Sequence, residues 1–281
     1  MSIDSTTFKG QPAVRLRAAD GAQAVVLLHG AHIVSWTTPN GVERMFLSER
    51  AQYGNGESVR GGVPVVFPQF NQRGPLARHG FARSRGWRLA QQASAAGDAL
   101  AVFALGDDEA TRALWPHPFG LELTVRIAGE RMDIELDVEN TGDAPFSFMA
   151  ALHTYLRVGD IGTVQLLGLQ GAQYLDFTRD VTLTDQDDAL RIYGETDRIY
   201  FGMDRPLRLR DGRNAVDITI QEFRDVVVWN PGRERSAQLQ DMTPDGYRNM
   251  LCVEAALIEP AQALAPGESW TGLQSLTATT L

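Results

Sequence analysis

Alternation with period two is the dominant pattern along this chain. In Met132-Asp133-Ile134-Glu135-Leu136-Asp137-Val138 every second residue is apolar. Successive strand side chains point to opposite faces, so the run predicts a strand with one packed and one wet face. It is the second arm of residues 121–142, two alternating runs around a Gly-Glu-Arg turn, closed by Asn-Thr-Gly. Residues 22–38 are β-branched and apolar, broken at Gly30. Further strands are expected over residues 146–158, 215–223, 225–232, 251–258 and 269–279. Gly, Asn, Asp and Pro separate them at short intervals. Strand signals at this spacing, end to end, predict an all-β antiparallel sandwich or barrel, and one domain over residues 1–281, without a linker or repeat.

Helix signals are few. Residues 106–119 predict one short helix with Asp107 or Asp108 as N-cap and Glu109 in its first turn. Pro116 and Pro118 stop it.

Bulk properties exclude several function classes. The formal charge of -9 argues against nucleic acid or an anionic membrane as a main partner, since both need broad basic surfaces. No apolar run approaches a membrane span, and the opening residues lack the basic and apolar regions of a secretory signal. A lone cysteine, Cys252, excludes an intrachain disulfide and a multi-cysteine metal site. These features fit a cytoplasmic enzyme.

Against the acidic background, residues 60–88 hold six arginines, one histidine and no acid. Arg is the default base of this chain, whose single lysine is Lys9, so the choice of Arg means less than its concentration. An acid-free cluster of guanidinium forks suits phosphate or carboxylate. Gly61 and Gly62, after Arg60, let backbone approach a ligand. Phe67, Phe70 and Phe81 add surface for stacking on a ring.

Within the apolar run of residues 250–258, Glu254 shares a strand face with Cys252 and Ala256. A carboxylate there is desolvated and its pKa rises, which suits a general base; a Glu on the solvent face of an edge strand is the plainer reading. His153 shares a strand-like run with Ala151 and Tyr155, as an acid–base group or as a satisfied core histidine. His79, among Arg78, Arg83 and Arg85, is expected to stay neutral, either contacting a sugar hydroxyl or stabilising a turn at Gly80. Asp197 adjoins Arg198 and has a local ion pair as its plain reading. His29 and His32 have metal-like spacing, but no acid or Cys nearby completes a set. Nucleophile-elbow, P-loop, dinucleotide and zinc-protease motifs are absent.

Taken together, RGGVPVVFPQF, HGFAR and the Trp after it resemble the glucose-6-phosphate 1-epimerases, or hexose-6-phosphate mutarotases, of the aldose 1-epimerase (galactose mutarotase-like) superfamily. ALHTYLRVGDI, TDRIY, VVVWNPG, DMTPDGYRNMLCVEAA and LAPGESW follow in family order, from about residue 12 to the C-terminus. The resemblance implies a single-domain β-supersandwich, His153 as general acid and Glu254 as general base. It also implies Arg60, Arg83 and Asp197 as substrate-binding residues and His79 close to the sugar. No metal or organic cofactor is expected, and the implied partner is a small sugar phosphate bound by a monomer. The chain departs from the family at Arg78, where Gln is often found; Arg78 is read either as a further phosphate contact or as a change in which sugar fits. Arg73, Arg85 and Arg88 are expected to be surface charge. An epimerase for free aldoses and a non-catalytic carbohydrate-binding protein are the alternatives.

Overall fold

The computed structural model describes residues 1–54, 56, 58–94 and 96–280. Its strands form three antiparallel sheets, as the alternation predicts. A four-stranded sheet takes Ser2–Phe8, Gln11–Arg17, Gln23–Leu27 and His32–Thr37 in chain order. A nine-stranded sheet is centred on Ser269–Thr280, flanked by Asn214–Gln221 and Arg131–Glu139. An eight-stranded sheet is centred on Met250–Leu264, flanked by Asp225–Asn230 and Phe146–Leu152.

The eight-stranded sheet carries the site, and its central strand shows why. Strand Arg131–Glu139 alternates between buried and partly exposed positions, as a half-buried strand must. In contrast, the first nine residues of Met250–Leu264 are all buried, so both faces are covered. Leu251, Val253, Ala255 and Leu257 point into the large core, which also takes Leu16 and Val26 from the small sheet and Ile134, Leu136 and Leu276 from the nine-stranded one. The opposite face is divided between two small clusters. Cys252 and Met250 pack with Phe46, Tyr155 and Met242, and Ala256 packs with Val227, Ala151 and Ile199. Glu254 stands at the seam between them.

The expected helix forms over Glu109–Leu114. Asp108 is its N-cap: its carboxylate accepts from the Thr111 N–H at 2.6 Å while the Thr111 hydroxyl accepts from the Asp108 N–H at 2.8 Å. Asp107 instead accepts from the Phe119 N–H. A second helix, Gly232–Gln238, was not expected from the sequence. It has no apolar stripe; Asn230 Oδ1 accepts from the Gly232 N–H and the Ser236 hydroxyl donates to the Thr243 carbonyl. Among the described residues no helix is long and apolar enough to cross a membrane.

One element differs from the sequence expectation at the site itself. Residues 146–158 do not form one strand; they divide into Phe146–Leu152 and Tyr155–Arg157, with His153 in the break. The His153 N–H donates to the Pro64 carbonyl and the Tyr155 N–H to the Gly62 carbonyl, both from the arginine-rich segment. That segment replaces the ladder bonds that a continuous strand would have made.

Candidate active site

Cross-strand register brings the site together. Leu152 lies opposite Ala255, and Tyr155 opposite Cys252. The register is the same on both sides of the break, so His153 faces Glu254. On the other flank Val227 is paired with Glu254 and Trp229 with Cys252, and Asp197 is paired with Trp229. Period-two alternation sends His153, Tyr155, Asp197, Val227, Trp229 and Glu254 to one face of the sheet, and Leu152 and Ala255 to the core on the other. The first six floor a cleft of about 430 Å³, within the size range of small-ligand sites.

His153 and Glu254 meet on that floor, with Nδ1 and Oε1 3.3 Å apart. Burial drives the Glu254 carboxyl well above the usual carboxylate range; the nearby Asp197 adds to this, and Arg78 and Arg83 oppose it. Burial likewise drives His153 well below its ordinary value, helped by His79, Arg60 and Arg83. The strand is central, so Glu254 is not a solvent-facing edge residue.

The arginine-rich segment folds over this floor and forms one wall. Gly62 has a φ of +62°, and a side chain there would collide with the Ile33 carbonyl, so the backbone after Arg60 requires glycine. Arg60 donates from Nε to Asp241 Oδ2 at 3.1 Å and from Nη1 to the Tyr155 hydroxyl at 2.9 Å. It lies 5.9 Å from the Trp229 ring centroid. The Tyr155 hydroxyl and the Asp241 carboxylate hold its charge against the cost of burial. Arg83, on the short 3-10 turn Ala82–Ser84, donates to the Arg78 carbonyl at 2.7 Å, and both side chains line the cleft.

His79 is buried with φ +67°, a conformation uncommon outside glycine. The Asn71 N–H donates to its Nδ1 at 3.3 Å, so the neutral ring carries its proton on Nε2. Burial and the charges of Arg83, Arg78 and Arg60 lower its pKa to about 2, consistent with the expected neutral ring. Its ring centroid is 5.6 Å from that of His153.

Asp197 is not held in a pair with its neighbour. Arg198 points to the other face and reaches Asp176 and Asp185 at 3.8 and 3.9 Å. Asp197 lines the cleft, where burial raises its pKa to about 6, opposed by Arg78 and supported by Glu195. The remaining arginines of the segment lie outside the cleft lining. Arg73 pairs with Glu259 at 3.1 Å, Arg85 lies over the Phe81 ring, and Arg88 begins an edge strand. His32 is buried and its Nε2 meets the Gly61 carbonyl at 2.7 Å, a structural role. Burial lowers its pKa to about 4.

Three residues of the cleft were not singled out from the sequence. Tyr155 stacks on His153 with centroids 4.8 Å apart and planes 8° from parallel. Trp229 meets both rings edge-on. Asp241 holds Arg60. The signal available for Tyr155 was its place two residues beyond His153, on the same face. The trio His153, Cys252 and Glu254 also places one potential metal-ligand atom from each within 4.8 Å of the others.

Fold and cleft define a β-sandwich protein with a small-ligand site on one sheet face, the class that includes the sugar mutarotases. The chain matches the aldose 1-epimerase family over residues 12–277. It is 35% identical to a protein of Cenchrus ciliaris named "putative glucose-6-phosphate 1-epimerase", over 97% of this chain and 86% of that one. An Escherichia coli protein of the same name is 35% identical over 85% of this chain and 81% of its own. The crystal structure of a "putative mutarotase" from Salmonella typhimurium superposes with a TM-score of 0.91 at 28% identity, covering 99% of this chain and 94% of that one. The chain belongs to the aldose 1-epimerase family and is a sugar mutarotase by that membership.

Proposed function

We propose that this protein interconverts the α and β anomers of a hexose 6-phosphate, with glucose 6-phosphate as the reference substrate. The observation that carries the reading is the buried His153–Glu254 pair on the floor of a cleft walled by Arg60, Arg78 and Arg83. Glu254 carboxylate takes the proton of the anomeric hydroxyl as the C1–O5 bond breaks, and His153 gives a proton to O5. The resulting aldehyde turns about C1–C2. O5 then attacks the other face of C1, returning its proton to His153 while Glu254 returns its own to O1. Each placed proton transfer contributes about 10²–10⁴-fold.

His153 Nδ1 is buried beside Glu254, so Nε2 is the nitrogen that serves O5. Burial disfavours charge on both groups, so before substrate binds the imidazole is neutral and the carboxyl keeps its proton. A phosphate against Arg60 and Arg83 offsets two of the charges that keep His153 neutral, which favours the imidazolium the acid step needs. His79 Nε2–H and Asp197 suit the sugar hydroxyls, as donor and acceptor. The remote phosphate contributes binding energy that holds the reacting carbon in place. We read the chain as one domain, acting as a monomer in the cytoplasm, where a single buried thiol stays reduced.

Exchange between the two anomers is measured by saturation-transfer NMR on glucose 6-phosphate and glucose side by side. A clear preference for the phosphate supports the reading. Preference for the neutral sugar removes the phosphate role of the arginines. Binding without exchange indicates a carbohydrate-binding protein instead.

A further inference from the structure

Cys252 is the chain's one cysteine, and no step above uses it. Its buried thiol shares the site face of the central strand with Glu254, directly across from Tyr155 and Trp229. One nitrogen of His153, the Cys252 sulfur and one carboxylate oxygen of Glu254 lie within 4.8 Å of one another. A second observation points the same way. His153 Nδ1 and Glu254 Oε2 are buried and have no hydrogen-bond partner, and the two residues are only 9% and 2% exposed. Buried polar atoms without partners are costly, and coordination to a cation would satisfy them.

We propose that His153, Cys252 and Glu254 form a binding site for a thiophilic divalent cation of the Zn²⁺ type, which inhibits the protein by occupying its acid–base pair. Zn²⁺ takes thiolate sulfur at about 2.3 Å, imidazole nitrogen at about 2.0–2.1 Å and carboxylate oxygen at about 2.0–2.2 Å, in a tetrahedron. Such bonds set ligand atoms about 3.3–3.8 Å apart, so the widest pair must close by about 1 Å. The imidazole–carboxylate edge already stands at 3.3 Å, and small side-chain rotations supply the rest. The fourth position opens to the cleft, because His153 and Glu254 both line it.

Thiolate and imidazole select Zn²⁺ or Cd²⁺ over Mg²⁺ and Ca²⁺. Binding releases the Cys252 thiol proton and the Glu254 carboxyl proton to solvent, and the thiolate and carboxylate then balance the two charges of the ion. The charges of Arg60, Arg78 and Arg83 oppose a dication at this depth, so the site binds less tightly than a closed structural zinc site. Metal and sugar compete, since both use His153 and Glu254. The cation site rests on the donor set alone, whereas its inhibition rests on the proposed acid–base roles of His153 and Glu254; a cobalt–thiolate band tests the first without any assay of anomer exchange.

The test uses the chelator-treated full chain with Co²⁺ as a spectroscopic probe. One equivalent should give thiolate-to-cobalt charge-transfer absorption, which Zn²⁺ should abolish by displacement. With one cysteine in the chain, that band reports Cys252 alone. Cys252→Ala and Cys252→Ser, checked for native circular dichroism, should lose the band and bind Zn²⁺ about tenfold or more weakly by competition with a chromophoric chelator. Anomer exchange without metal should be unchanged in them, and Zn²⁺ should inhibit the wild type competitively with sugar phosphate. A wild type without the band at saturating Co²⁺ overturns the site, as do cysteine variants that bind Zn²⁺ equally well. Full activity with Zn²⁺ bound overturns the inhibition. If neither variant folds, the wild-type spectrum still decides whether Cys252 is a ligand.

Discussion

Tyr155→Phe separates the two halves of the proposed site. The phenol ring stacks on His153, and its hydroxyl accepts from Arg60. Phenylalanine keeps the ring and removes only the hydroxyl. Hydrogen bonds to charged groups contribute about 1.5–3 kcal/mol. Arg60 retains its bond to Asp241 and is 24% exposed, so water replaces part of the loss. An effect of about 1–2 kcal/mol remains, a factor of about 5–30. If Arg60 binds phosphate, this falls on uniform binding, so KM for the sugar phosphate rises by that factor and kcat stays nearly constant. Exchange of free glucose is unaffected. Tyr155→Ala removes the stacking too, and lowers kcat on both sugars by freeing His153. The assay is saturation-transfer NMR across substrate concentrations, read as separate kcat and KM. An equal loss of kcat on both sugars in Tyr155→Phe would instead place the hydroxyl in the chemistry and remove its role in holding Arg60 for phosphate. An unchanged KM for the phosphate would refute the reasoning as well.

Three further outcomes follow from the same geometry. Glu254→Gln keeps shape and burial but cannot take a proton, so exchange falls by about 10²–10⁴-fold while sugar phosphate still binds by calorimetry. The raised pKa of Glu254 means its stability contribution is full at acid pH and is lost as pH rises; the variant should therefore gain in Tm over wild type as pH increases, and a constant Tm difference would count against the buried carboxyl. Asp197→Asn applies the same sign test with a defined window. Its folded pKa of about 6 exceeds the unfolded value, so the carboxyl's contribution is full below about pH 4 and lost as pH rises through 6. The amide should be more stable by about 2–3 kcal/mol at pH 8, measured by denaturant titration, with no advantage at pH 4. Arg83→Met should weaken the phosphorylated sugar by about tenfold or more and leave glucose unchanged, whereas Arg73→Met should alter neither.

The fold was legible because its strands announce themselves locally. Residues 131–139 alternate in sequence and in burial alike. What was not legible depended on distant partners. Gly232–Gln238 carries neither an N-cap side-chain bond nor an apolar stripe, and is held by Asn230 and by the Thr243 carbonyl. The break at His153 has the same origin. Its apolar flanks read as one strand, yet the backbone leaves the ladder because Pro64 and Gly62 supply acceptors from a segment far away in sequence. Thr154 is drawn inward in the same turn, its hydroxyl donating to Gln274 at 2.6 Å.

At the site, alternation alone carried more information than charge. Asp197 and Arg198 are adjacent and opposite in charge, which suggests a pair. In a strand, neighbours point to opposite faces, so a direct pair is geometrically disfavoured. Arg198 turns to Asp176 and Asp185, and Asp197 is left for the cleft. Charge density in residues 60–88 was a weaker guide, because six arginines share one segment while Arg60, Arg78 and Arg83 reach the cleft and Arg73 and Arg85 find Glu259 and Phe81. Arg60 is held inward by Asp241 and Arg83 by the Arg78 carbonyl, neither of which a charge count contains. Glu254 therefore sits on ladder geometry that the sequence pattern foreshadows, whereas His153 and the anion wall depend on a loop that only tertiary packing defines. Substitutions that loosen the loop at Gly62 should accordingly lower kcat and alter phosphate preference together, because the Pro64 and Gly62 carbonyls hold the His153 and Tyr155 N–H groups.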